Sequence, residues 1–392
     1  MHSSKTYKKI VIVTSRFPFP LEKGDKLRIY HQIKHLSKHF EIHLISTSEH
    51  KVNKSDVDQL KSFCASIHVF PISLLQKLTG VFTKLFSKKP IQVGYFHHYS
   101  IQKKIDRILK DIRPQHIYCQ LIRTAEYVKN YHDCPKTIDY MDAFSKGMER
   151  RSKNAGFIYK YIFETEYKRL VYYENSIFEY FEHHTIISEQ DKQYIFHKNR
   201  DQIQVIPNGV DATFIEDRTL VPKNIDLVFT GNMSYPPNVT AAQFIVKEVL
   251  PLLPDKIRVK IAGSSPTKEV LNLASTRVEV TGYLEDIKTA YSSAEVFIAP
   301  MFLGTGLQNK LLEAMALGIP CITTSMANNA LGANPEKEIL IADTAEAFAL
   351  QIERLQENPR LKQELIDNGR SFIVNNYKWS SVTDKLVQLI KL

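Results

Sequence analysis

The chain has 392 residues, enough for two or three domains, with 43% apolar and 24% charged residues. This composition excludes a disordered tail, a collagen-like repeat and a small disulfide scaffold. The four cysteines, Cys64, Cys119, Cys134 and Cys321, form no Cys-x-x-Cys pair, which excludes a zinc ribbon and points to a reducing compartment.

The net charge of +10 is unevenly spread. Residues 1–200 hold 34 basic and 20 acidic side chains and all 14 histidines, while the rest of the chain is mildly acidic. Two specialised halves are expected, the first either facing something anionic (a nucleic acid, a membrane surface or a phosphorylated substrate) or simply carrying a basic surface. No apolar run approaches the roughly 18 residues that span a membrane.

From the N-terminus, Lys8 and Lys9 precede Ile10–Val13, an apolar run far shorter than the roughly 7–15-residue core of a secretory signal. It reads as a first buried strand of a cytoplasmic protein. Gly24 lies in the loop after it, and Asp25 and Arg28 follow at the start of an amphipathic helix over 27–36. Runs at 42–46, 67–70, 116–119, 136–139, 184–187 and 203–206 read as further strands.

Asp56 and Asp58 mimic a metal-binding Asp-x-Asp, but they open a polar helical segment and read as N-terminal helix charge. His97–His98 and His183–His184 are adjacent pairs whose side chains diverge, so no metal site is expected. Residues 74–89 read LLQKLTGVFTKLFSKK, a basic amphipathic helix suited to an anionic membrane surface, or else to packing on a sheet. Asp139 and Asp142 follow the strand at 136–139, carboxylates that could take a proton or cap a helix. Arg150 and Arg151 come next, suited to an anion or to solvent. The aromatic helical stretch 157–181 is expected in the core. No signature of an RNA-binding module accompanies it, so no nucleic-acid partner is expected.

The charge balance changes sign near Ile206–Asp211, a turn-rich segment taken as a boundary. Beyond it, strands at 226–230, 258–262, 278–280, 296–299 and 320–324 alternate with helical patterns. The alternation predicts parallel sheets covered by helices in both halves, with ligands beyond the carboxyl ends of the strands. Gly231 and Asn232 close one such strand, and Asn238 is placed to cap the next helix. The sharpest signal is APMFLGTGLQNKLLEAMALGIP over 299–320: an apolar strand, a loop with Gly304 and Gly306, then a helix opening near Gln308. Such a helix start binds phosphate, and Lys310 in its first turn, where a structural helix disfavours cations, points to an anion. Glu313 stands alone in an otherwise apolar helix and needs donors: ribose hydroxyls, a neighbouring base or solvent.

GTGLQNKLLEAMALGIPCITT resembles the nucleotide-sugar donor motif of the family-4 retaining glycosyltransferases. Within them it is most similar to the sugar transferases of PEP-CTERM/exosortase exopolysaccharide loci. TSRFPFPLEKGDKLRIYH, TIDYMDAFSKGMERR, ISEQD, VIPNGVD and VFTGNMSYPPNVTAAQFIVKEVLP agree in order. The resemblance implies a GT-B α/β architecture, two Rossmann-like doubly wound domains facing across a cleft. These would be an acceptor-side domain over 1–206, a donor domain over 207–375, and a C-terminal helix within 376–392 packing back on the first. It implies transfer of a sugar from a nucleoside-diphosphate sugar to a glycan or lipid-linked acceptor, with retention and without metal or other cofactor.

Carried onto this chain, Glu313 would hold the donor ribose. The backbone of Gly304, Thr305 and Gly306 would hold the pyrophosphate together with Lys310, which would also stabilise the leaving diphosphate. Gln308 and Asn309 lie at the same helix start, Gly231 and Asn232 line the donor side, and Gly24 approaches the transferred sugar. Asp142, ahead of Asp139, would serve the acceptor hydroxyl, with Asp25, Arg28 and Arg150 on the acceptor side. Two departures stand out: Thr305 replaces a sugar-contacting Glu, and Asn232 with Pro236-Pro237-Asn238 replaces the family's Arg and Lys. A non-hydrolysing sugar-nucleotide epimerase and a non-catalytic nucleotide-sugar binder remain alternatives. Gly24 standing alone argues against a dinucleotide fingerprint.

Overall fold

The computed structural model describes residues 7–21, 23–85, 87–153, 155–216, 222–302 and 306–392. Two compact units emerge, Met1–Pro207 with Val382–Leu392, and Asn208–Ser381.

The first unit is a seven-stranded parallel sheet: β1 Lys8–Thr14, β2 Phe40–Ser48, β3 Ser66–Pro71, β4 His116–Gln120, β5 Lys136–Asp139, β6 His183–Ile186 and β7 Gln204–Val205. Its order, β3-β2-β1-β4-β5-β6-β7, reverses direction at β1, the switch point of a doubly wound sheet. The run Ile10–Val13 is almost wholly buried because both faces of β1 are covered. Ile10 and Ile12 enter one core with Ile29, Ile33 and Leu36, whereas Val11 and Val13 enter the opposite core with Val93, Ile105 and Leu170. Val382, Leu386, Val387, Leu389 and Ile390 of the last helix, Trp379–Lys391, complete the first of these cores, and Lys8 Nζ donates to the Ile390 carbonyl at 2.8 Å.

The division of the chain falls within that last helix rather than at 375/376. Val210 bridges to Lys378, and a side chain at Gly209 would collide with Trp379, so the start of the helix is held by the second unit.

The second unit is a six-stranded parallel sheet of β8 Ile225–Thr230, β9 Val259–Ala262, β10 Val278–Gly282, β11 Ala294–Ala299, β12 Cys321–Thr323 and β13 Leu340–Ile341, ordered β10-β9-β8-β11-β12-β13. Both units are thus Rossmann-like α/β folds. β13 is not among the expected strands, although the short run over 339–342 is apolar and largely buried.

Several expectations are corrected here. Gly24 is the first residue of the helix Gly24–Leu36 rather than a loop residue, and a side chain there would meet only ordinary contact with Met141. The aromatic helix Phe157–Phe178 is core only in its second half. Leu170, Tyr173, Ile177 and Phe178 are buried, whereas Phe157 is 93% and Tyr161 74% exposed.

Arg28 and Asp139 are not acceptor-facing. Both side chains are fully buried, Arg28 Nε and Nη2 donating to Asp139 Oδ2 and Oδ1 at 2.7 and 3.1 Å. Arg28 Nη1 also donates to the Pro207 carbonyl, and Asp139 accepts from the Thr185 hydroxyl at 3.0 Å. The Tyr118 hydroxyl lies between Asp139 Oδ2, at 3.0 Å, and Gln32 Oε1, at 3.1 Å. The pair ties the first helix to β5 beneath the strand ends. Breaking a buried pair strands the other charge, so Arg28→Ala should destabilise the first unit by about 3–5 kcal/mol in a urea melt. A melt indistinguishable from wild type would refute this structural role.

Candidate functional site

In the second unit the carboxyl ends of β8 and β9 approach backbone to backbone. Gly263 follows β9 with φ +139°, and a Cβ there would lie 1.8 Å from the Gly231 carbonyl oxygen. Gly231 follows β8, and a Cβ there would lie 2.6 Å from the Asn238 amide and 3.3 Å from Lys310 Nζ. Two glycines therefore clear the space that Lys310 and Asn238 occupy.

Lys310 lies in the first turn of the helix Asn309–Ala316, whose Leu311, Leu312, Ala314 and Met315 are buried. Its Nζ donates to Asn238 Oδ1 at 2.5 Å and stands 4.6 Å from the Phe229 ring centroid. Among the described residues no carboxylate comes within ion-pair distance of it. Burial pushes the ammonium down to about 7, against the attraction of Glu313. Asn238 is not the helix cap expected of it. Tyr235 holds that position, while Asn238 sits inside Pro236–Phe244 and also donates to the Asn232 carbonyl at 2.9 Å. The Asn232 side chain is turned to Ser234, accepting from its backbone and hydroxyl.

Glu313 is held by a two-link chain that the sequence did not disclose. The Thr230 hydroxyl donates to the Tyr291 hydroxyl at 2.6 Å, and Tyr291 donates to Glu313 Oε2 at 2.8 Å. Burial raises Glu313 to about 7, tempered by Tyr291 and Lys310. Gln308 opens the helix in an extended conformation without a side-chain cap, its amide donating instead to the Gly306 carbonyl at 2.9 Å. The Asn309 side chain accepts from Asn208 at 3.0 Å. Gly304 and Thr305 lie outside the described residues. A desolvated ammonium at an uncapped helix start, beside an anchored carboxyl, suits a ligand carrying an anion next to vicinal hydroxyls.

In the first unit, Asp25 pairs with Arg16 at 2.9 Å, and Arg16 also holds Glu49 at 2.6 Å. Asp142 is partly buried just beyond β5, and burial holds its carboxyl above the ordinary range. The fully buried Asp191 is raised by burial and by Asp142, with its Oδ1 lacking a hydrogen bond. Arg150 lies within electrostatic reach of Asp191, its buried Nη1 also without a partner. Asp142, unlike Asp139, is not fully buried. Asp58 pairs with Lys61 at 2.6 Å, and among the described residues no group of three or more His, Cys, Asp or Glu side chains could hold a metal ion.

Residues 224–358 match the family model of the glycosyl transferases group 1. The match covers β8 to β13 and every residue of the Lys310–Glu313 arrangement. Over 94% of its length the chain is 24% identical to an uncharacterised 44.6 kDa protein in the cps region of Klebsiella pneumoniae, covering 96% of that protein. Over 48% of its length it is 26% identical to the UDP-Gal:α-D-GlcNAc-diphosphoundecaprenol α-1,3-galactosyltransferase of Escherichia coli, covering 54% of that enzyme. The fold is shared with Anabaena HepE in complex with UDP at a TM-score of 0.71 and 11% identity, over 98% of this chain and 99% of that one. The two units have the Rossmann-like folds of GT-B glycosyltransferases, and the match to the glycosyl transferases group 1 model lies within the second. Together these findings support a glycosyltransferase.

The Lys310 ammonium is lowered from 10.5, so its burial penalty is full below pH 7 and fades as pH rises toward 10.5. Lys310→Met should therefore raise the ligand-free melting temperature of the second unit more at pH 6 than at pH 9. Equal differences at the two pH values would show that the ammonium is not desolvated.

Proposed function

We propose that the chain is a family-4 retaining glycosyltransferase acting without metal, of the kind found in exosortase-associated exopolysaccharide loci. It moves a sugar from a nucleoside-diphosphate sugar to a glycan or lipid-linked acceptor at the cytoplasmic side of a membrane. The observation that carries the reading is the Lys310 ammonium, set at a helix start with no carboxylate partner among the described residues. Negative charge grows on the diphosphate as the glycosidic bond breaks, and a preoriented cation in a dry site stabilises that charge most. Glu313, anchored through one oxygen by Tyr291, presents the other to ribose hydroxyls. Asp142, raised toward neutrality, receives the acceptor proton. The printed activity of the Escherichia coli relative and the UDP held by HepE support a nucleotide-sugar donor.

The helix Leu74–Leu85 supports a membrane-surface partner. Leu74, Leu75, Leu78 and Phe82 are 61–72% exposed. Beyond its end, Lys89 is neutralised by Glu126 at 2.6 Å, and Lys77 is tied to the Glu49 carbonyl rather than reaching outward. Lys84 and Lys88 remain for anionic headgroups. No helix among the described residues is long and apolar enough to cross a membrane.

A thermal-shift screen of UDP-, GDP- and ADP-sugars should find one stabilising nucleotide, by about 2.7 kcal/mol at a hundredfold excess over Kd. Lys310→Ala and Glu313→Ala should each abolish that shift and lower turnover at least a hundredfold. Donor conversion without acceptor would instead identify an epimerase. Exchanging Leu75, Leu78 and Phe82 for Ser should release the protein from anionic vesicles in co-sedimentation, and unchanged sedimentation would exclude this helix as the contact.

A further inference from the structure

Arg123 follows β4 at the carboxyl edge of the first unit's sheet, in a stretch with no motif of its own. Its guanidinium lies 4.7 Å from the Phe144 ring centroid and 5.3 Å from that of Phe96. Nε donates to Gln92 Oε1 at 3.0 Å. The plane of the group is thereby fixed on three sides by aromatic and amide contacts, none of which neutralises it. Among the described residues no carboxylate lies within ion-pair distance, and its terminal nitrogens take no hydrogen bond.

The neighbouring charges are already committed. Arg16, 5.8 Å from the same Phe96 ring, spends Nε on Glu49 and Nη1 on Asp25. Glu49 also accepts from the Tyr95 hydroxyl at 2.9 Å. Burial and repulsion from Arg16 lower Arg123 to about 10, against the attraction of Asp25, Glu49 and Asp142. A planar fork held open in this way suits the paired oxygens of a phosphate.

The surroundings indicate which phosphate. Gln92, Tyr95 and Phe96 all belong to the short helix Ile91–Phe96, whose first amides donate to Glu166 at 3.1 and 3.4 Å. That helix crosses Leu74–Leu85 at Gly80 and Gly94, where a Cβ on Gly80 would come within 2.1 Å of the Gly94 carbonyl oxygen. The outer face of Leu74–Leu85 carries the exposed Leu74, Leu75, Leu78 and Phe82. The Arg123 guanidinium is thus joined to an apolar helix through Ile91–Phe96, which touches both, and Asp142 lies within electrostatic reach of Arg123.

We propose that Arg123 receives the phosphate of a lipid-linked acceptor, the lipid lying along Leu74–Leu85 and the sugar hydroxyl directed toward Asp142. The assignment rests on the glycosyl-transfer reading for the hydroxyl, but not for the phosphate.

The test is calorimetric titration of farnesyl diphosphate and inorganic diphosphate into the full chain with UDP at saturation. Wild type should bind farnesyl diphosphate at least tenfold more tightly than inorganic diphosphate. Arg123→Gln should weaken both at least tenfold while leaving UDP affinity unchanged, and Arg123→Lys, which keeps the charge but not the fork, should recover part of the loss. Gln92→Leu, which frees Nε without touching the charge, gives a milder loss and guards against a misfolded Arg123 variant. Unchanged binding in Arg123→Gln would overturn the proposal, and equal wild-type affinity for the two probes would overturn its lipid part. Failure of UDP to bind would instead count against the donor reading, with farnesyl diphosphate binding still readable alone.

Discussion

A lysine ammonium with no carboxylate within ion-pair distance among the described residues is the constraint around which the second unit is arranged. Desolvating a charge costs several kcal/mol unless something compensates. Here the compensation is partial: one amide oxygen, one aromatic face and the field of Glu313. The strand ends are shaped to permit this. Gly263 lets the two strand ends meet, Gly231 leaves room for Lys310 and Asn238, and Asn238 sits inside its helix and accepts from the ammonium.

The first unit handles charge differently. Arg28 and Asp139 neutralise each other under the sheet's switch point, and Arg16 is shared between Asp25 and Glu49. Arg123 has no carboxylate within ion-pair distance among the described residues, and Asp142, whose carboxyl burial raises to about 6, lies within its electrostatic reach. Saturated pairs form the frame, and the groups left over define where chemistry can occur.

Much of this was legible in the sequence, for physical reasons. A strand buried on both faces must be continuously apolar, so Ile10–Val13 and Val296–Ala299 announce themselves. Glu313 is conspicuous because a lone acid in an apolar helix breaks the local pattern. Its anchor was not legible: Tyr291 lies 22 residues away and meets Glu313 only through the packing of another helix. Arg28 and Asp139, 111 residues apart, were each placed correctly at an element end, yet sequence spacing could not tell that they answer each other rather than a ligand. Arg123 escaped notice because its distinction is the absence of a counter-charge, a property of the fold alone. Phe157 and Tyr161 misled for the opposite reason, since helical aromatic spacing does not say whether a partner surface exists.

The crossing of Leu74–Leu85 over Ile91–Phe96 at Gly80 and Gly94 leaves the two backbones no room to slide. A displacement of the first helix is therefore passed to the second, and through Gln92 to the Arg123 guanidinium. On the proposed reading, the pair would act as a depth gauge, setting how far below the headgroups a phosphate is met and sorting substrates by the reach of their stems.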